Sequence, residues 1–280
     1  MSSQHSVQDF KAYMADRFVA LQTRDPSVKI LKDLAIPLAG WEADWFMRGV
    51  HDELFDVQVH DCVSGFVSAG FEGDLFLSST GVPRDAHFFN VAPPKGSGAR
   101  VPAREGITHM AAIARLVLGY GHPADTVRSE SPKFEVDIVV FDLSAREAAA
   151  NEILGVEVKV EKREHEALSA GMQACRGNGG DEAHRSVVLD RFGRRLPEAQ
   201  ARNHHKKCRW VAEHRPSTFW IVSRDQSDVF EVRSPSDADF ELMPLPDEAL
   251  SRENVERRSV MGGSRGTAGK DRIASNGPKT

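Results

Sequence analysis

Two short apolar segments carry charges where a buried strand can least accommodate them. Residues 134–142 read FEVDIVVFD and residues 153–160 read ILGVEVKV. Both predict β-strands, the first apolar enough to be covered on both faces, the second alternating toward its end. Asp137 falls inside the first, and Glu157 and Lys159 fall inside the second. Such charges are costly inside a sheet unless they are paired or bind a metal. Side chains two residues apart in a strand share a face. Glu157 and Lys159 therefore project together, while Val158 turns into the opposite layer. Antiparallel pairing through a connection at 143–152 brings Asp137 level with Glu157, so two carboxylates and a lysine meet at one end of a sheet.

The surrounding periodicity supplies helices for that sheet. Residues 105–119 predict a helix on the spacing of Ile107, Met110, Ile113, Ala114 and Leu118, stopped by Gly119-Tyr120-Gly121 and Pro123. Residues 161–175 predict another, and residues 197–214 a basic one. TFWIVS at 218–223 predicts a further buried strand, with 229–232 returning as its hairpin partner. The expected architecture is α/β, a mixed central sheet flanked by helices. Ahead of it, residues 1–100 form an N-terminal α+β segment, with helices expected at 8–21 and 41–55 and strands at 65–71 and 74–78. VAPPKGSGARVP, at 91–102, reads as a linker. The domain boundaries follow: 1–100, 101–250, and a disordered basic tail at 251–280.

Composition sets the outer limits. The chain has 280 residues, 40% hydrophobic and 28% charged, which is globular. It contains no apolar stretch long enough to span a membrane, no charged-then-apolar leader, and three scattered cysteines (Cys62, Cys175, Cys208). These features predict a cytoplasmic protein. The net charge of −5 conceals a basic run at 191–215, with eight Lys/Arg against two Asp/Glu. Such a run meets phosphates or simply forms a solvated helix face. Cys175, His184, His204, His205, Cys208 and His214 lack zinc-ligand spacing, and no glycine loop ending in GK[ST] provides for a nucleotide.

The chemistry available to Asp137, Glu157 and Lys159 is more specific. Two hard carboxylates, with the Val158 carbonyl beside them, suit Mg²⁺, with Mn²⁺ as a substitute. A lysine next to such an ion orients or deprotonates a water, and the ion stabilises a phosphorane-like transition state.

The ordered set Glu105…Gly119-Tyr120…Glu130…Asp137…Glu157-Val158-Lys159 resembles the PD-(D/E)XK nuclease superfamily. Its pattern is most similar to the nuclease domain at the start of type I restriction motor subunits and related defence nucleases. The resemblance spans residues 104–235, and Val136 stands where the family motif often has proline. It implies a metal-dependent endonuclease that hydrolyses DNA phosphodiester bonds in prokaryotic restriction or anti-phage defence. Asp137, Glu157 and Val158 would hold Mg²⁺, Lys159 would position the attacking water, and Glu105 would complete the catalytic set. Gln173, Lys206, Lys207 and Arg209 are candidate DNA contacts. A homodimer, or a partner protein of a defence system, would complete the assembly. The alternative is a DNA-binding or assembly subunit with the same fold and no cleavage of its own. Glu105 also suits the first turn of a helix on electrostatic grounds alone, and Gln173 suits an ordinary helix surface.

Overall fold

A computed structural model describes residues 5–24, 26, 29–30, 38–60, 63–67, 89–91, 99–102, 104–129, 135–142, 151–174, 198–234 and 240–263. Helix α1 (Val7–Arg24) begins at a reciprocal cap. The Ser6 N–H donates to Asp9 Oδ2 at 2.7 Å, and the Asp9 N–H donates to Ser6 Oγ at 3.2 Å. Phe10, Met14 and Phe18, four residues apart, form its buried stripe. Strand β1 (Lys29–Ile30) and helix α2 (Gly40–His51) follow, with the Ala39 N–H capped by Glu42 Oε2 at 2.8 Å. Strands β2 (Asp56–His60) and β3 (Val63–Val67) form an antiparallel pair. Strand β4 (Phe89–Val91) pairs antiparallel with β5 (Ala99–Pro102), which lies parallel to β1. Both ends of the expected linker at 91–102 are thus strand. The strand expected at 74–78 lies outside the described residues.

Helix α3 (Arg104–Ala114) is buried from Gly106 onward and passes into a π-helical turn at Arg115–Gly119. The change of pitch is marked by the Tyr120 N–H, which bonds the Arg115 carbonyl five residues back, at 2.9 Å. Next come β6 (Val127–Ser129), β7 (Ile138–Asp142), β8 (Asn151–Lys159) and α4 (Lys162–Ala174). Then follow α5 (Glu198–His214), β9 (Thr218–Ser223), β10 (Ser227–Arg233), β11 (Glu241–Leu245) and α6 (Arg252–Gly263).

The six strands from β6 to β11 form one mixed sheet, ordered β11-β10-β9-β8-β7-β6. Only β8 and β9 run parallel among its neighbouring pairs. Alternation along the strands builds two apolar layers. Ile138, Val140, Val156, Val158, Trp220 and Val222 face α1, α2 and α3 in one cluster. Val139, Phe219, Ile221 and Phe230 face α4 and α5 in the other. The helices at the start of the chain therefore share a core with the sheet. No described helix is long and apolar enough to cross a membrane.

Two expectations need correction. Residues 252–263, placed by composition in a disordered tail, are helix α6. Val255 is buried, its carbonyl accepts from Ser217 Oγ at 3.1 Å, and Arg258 Nη2 donates to Thr218 Oγ1 at 2.9 Å. Residues 264–280 of that tail lie outside the described residues. Strand β7 also starts later than residue 134, because Glu135–Asp137 form a bend. There the Asp137 side chain takes the Val158 N–H, at 2.7 Å, that a main-chain carbonyl would accept in a continued ladder.

Helix α5 lies along β8, and Gly155 sets how closely it approaches. A Cβ on Gly155 would fall 2.4 Å from a Trp210 ring carbon and 3.3 Å from Phe219. The buried indole rests on bare backbone. Gly155→Ala is therefore expected to cost about 1–3 kcal/mol by overpacking, read as a lower urea midpoint at unchanged slope.

Candidate functional site

The site stands at the carboxyl end of β8. The β7–β8 ladder begins with Ile138 opposite Val156, and Asp137 stands one residue before it, its N–H donating to the Val156 carbonyl at 3.1 Å. Glu157 shares the parity of Gly155, which lies against Trp210 of α5, while Val158 belongs to the opposite cluster, and Asp137 in the bend turns its carboxylate to the Val158 N–H. Asp137, Glu157 and Lys159 do converge.

Glu157 is 1% exposed in the third strand from the sheet's edge. Lys159 Nζ donates to Glu157 Oε1 at 2.6 Å. Lys207 Nζ reaches Oε2 at 3.0 Å from helix α5. The same Lys207 ammonium also donates to the main-chain carbonyl of Glu135. Oε2 is buried, faces a cation and receives no hydrogen bond. Burial raises the Glu157 pKa, and the Asp137 charge raises it further, against the pull of Lys159 and Lys207. For Lys159, burial works against the charged form, but Glu157, Asp137 and Glu105 outweigh it and hold the pKa above the usual lysine range. Lys159 is a fixed positive charge.

The other candidates divide. Glu105 is exposed in the first turn of α3, with its charge felt by Lys159. Its neighbour Arg104 donates from Nη2 to the Val160 carbonyl at 3.4 Å, tying that turn to the end of β8. Gln173 is exposed near the end of α4. Lys206 is exposed and pairs with Glu135 Oε2 at 3.4 Å; Arg209 is exposed and pairs with Glu213 at 3.3 Å. Lys207 requires correction. Expected as a surface contact to DNA, it is buried against Glu157, because it shares the inward stripe of α5 with His204, Cys208 and Val211.

His204, weighed from the sequence only as a zinc ligand, lies beside this site. It is buried, and its Nδ1 has no hydrogen-bond partner. Burial and the charges of Lys159 and Lys207 push its pKa down to about 4, with Glu157 opposing. The signal was present in the helical spacing: His204, Lys207, Cys208 and Val211 stand at i, i+3, i+4 and i+7, one helix face, and the last two are apolar.

Among the described residues no three His, Cys, Asp or Glu side chains form a ready metal cage. A hard divalent ion needs less. Mg²⁺ is commonly held by one or two carboxylates, completed by waters and substrate phosphate. Asp137 and Glu157 supply two such carboxylates, and Glu157 Oε2 is buried with an ion-pair contact to Lys207 but no hydrogen bond. Comparison with known protein families, with curated proteins and with solved structures finds no match to this chain.

The His204 shift fixes a pH dependence. Between its unfolded value near 6.5 and about 4 in the fold, the unfolded chain binds a proton that the native state refuses. Stability is therefore lost as pH falls through that window. His204→Gln removes this contribution, so thermal melts at pH 7 and pH 5 are expected to differ less for the variant than for the wild type.

Proposed function

We propose that this protein is a metal-dependent endonuclease that hydrolyses DNA phosphodiester bonds. The observation that carries the reading is the meeting of Asp137, Glu157 and Lys159 at one sheet end, with Lys159 within 2.6 Å of Glu157. That grouping, on a mixed sheet flanked by helices, is also what the resemblance to PD-(D/E)XK nucleases implies. Asp137 and Glu157, with the Val158 carbonyl, would hold Mg²⁺ or Mn²⁺. When bound, the ion supplies Lewis acidity toward a phosphoryl oxygen and lowers the pKa of water.

The protein's own residues supply the remainder. Lys159, kept charged, orients the attacking water and offsets negative charge gathering on phosphorus. Water adds to phosphorus and a P–O ester bond breaks, leaving a phosphomonoester and an alcohol. Exposed Lys206 and Arg209 on α5 exchange their present acidic partners for backbone phosphates, and Gln173 adds a polar contact. Glu105 tunes Lys159 from the first turn of α3. A homodimer, or a partner within a restriction or anti-phage system in a prokaryotic cytoplasm, would provide the setting.

One observation favours the second reading, a DNA-binding or assembly subunit without cleavage: both Glu157 oxygens face ammonium groups. A plasmid assay separates the two readings. Wild-type protein with Mg²⁺ or Mn²⁺ is expected to nick supercoiled DNA and to stop on chelation. Asp137→Asn and Lys159→Met should each lower the rate by about a hundredfold or more, the scale of removing one preorganised electrostatic group. Equal cutting by wild type and both variants would refute the site. A parallel digestion of RNA defines the substrate class.

A further inference from the structure

Lys207 sets a positive charge against Glu157, one of the two carboxylates proposed to hold a divalent ion. Its ammonium touches Glu157 Oε2 at 3.0 Å and donates to the carbonyl of Glu135, two residues before Asp137. Those are oxygen donors of two different chain segments, gathered around one positive charge. The carboxylate oxygen it faces is buried and has no hydrogen bond. Lys159 differs: it arises from the same strand as Glu157 and hydrogen-bonds the other oxygen. Lys207 arrives from α5 on a flexible four-carbon stem, so it can withdraw without moving the sheet.

We infer that Lys207 occupies the cation seat of the resting site and is displaced from Glu157 when a divalent ion binds, so that it sets how tightly the site takes metal. The inference rests on the metal-binding part of the function proposed above. Charge supports it. Asp137, Glu157, Lys159 and Lys207 sum to zero, and neutral His204 adds nothing. Replacing Lys207 by a divalent ion leaves the set at +1, which one phosphodiester returns to zero. Glu105, exposed in the first turn of α3, lies outside this set, although Lys159 feels its charge. Metal alone is thus opposed by the lysine, whereas metal together with DNA is not.

The test is Mn²⁺ binding, followed by electron paramagnetic resonance of the free ion, without DNA. Lys207→Met is expected to bind Mn²⁺ at least about tenfold more tightly than wild type, the scale of deleting one close charge partner. Lys207→Gln, which keeps a hydrogen-bond donor but no charge, should also tighten binding, and Asp137→Asn should abolish it. Thermal melts confirm that each variant is folded, and the Gln variant carries the test if the Met variant does not fold. A merely structural Lys207 would leave affinity unchanged or weakened in both variants, and that result overturns the inference. If plasmid is cut while both variants bind Mn²⁺ no better than wild type, this inference falls and the nuclease reading stands. If both variants bind more tightly but no protein cuts, the nuclease reading falls and the inference stands.

Discussion

A carboxylate in the interior of a sheet cannot stand alone, and Glu157 determines how its neighbours are arranged. It lies on β8, with β7 on one side and β9 on the other, so water has no access along an edge. The desolvation of one ion there is worth several kcal/mol. Lys159 meets part of that demand from the same strand face, and Lys207 from the helix above. Helix α5 can deliver Lys207 because it lies antiparallel along β8. His214 reaches Glu152 at 3.2 Å, the Trp210 indole covers Gly155, and Lys207 meets Glu157. Each step back along the helix is a step forward along the strand, so the missing side chain at Gly155 and the buried ion pair belong to one packing solution.

The opposite face of the sheet is closed by apolar side chains. Phe10, Phe46 and Ile107 join Ile138, Val156 and Trp220 in one cluster. Helices α2 and α3 also reach the sheet end where Lys159 stands. Trp41 Nε1 donates to the Arg224 carbonyl at 2.8 Å, just beyond β9, and Arg104 bonds the Val160 carbonyl just beyond β8. The carboxyl ends of two parallel strands are where α/β sheets place ligands. Here that end is braced on one side by two helix starts and holds charge on the other.

The strands and the candidate carboxylates could be read because both leave strong local signals. Apolar runs bounded by turn residues marked β7, β8 and β9 within a few residues, and charges inside those runs marked Asp137, Glu157 and Lys159. The start of β7 was not legible, since the Asp137 carboxylate replaces a main-chain acceptor, a choice that periodicity cannot show. Helix α6 was hidden by its composition. It buries a single large apolar residue, Val255, and is otherwise held by Arg258 and by pairs such as Arg252–Glu256 at 2.6 Å. Lys207 was obscured by its neighbours, because a run of bases reads as solvent-facing charge. Only the inward stripe that it shares with Cys208 and Val211 separates it from Lys206 and Arg209.

The electrostatics also restrict which roles a lysine can take in the proposed chemistry. A group that removes a proton from water must hold a free lone pair near neutral pH. Lys159 does not, because Glu157, Asp137 and Glu105 together outweigh the effect of burial and keep its ammonium protonated. Its contribution is therefore position and charge, and the proton released from an attacking water must leave by another route. The same reasoning explains why one lysine is insufficient for Glu157. The hydrogen bond from Lys159 satisfies Oε1, while Oε2 lies on the far side of the carboxylate, buried, and is stabilised only by a cation that approaches from the helix layer. The strand thus supplies a permanent charge, and α5 supplies one that can be exchanged.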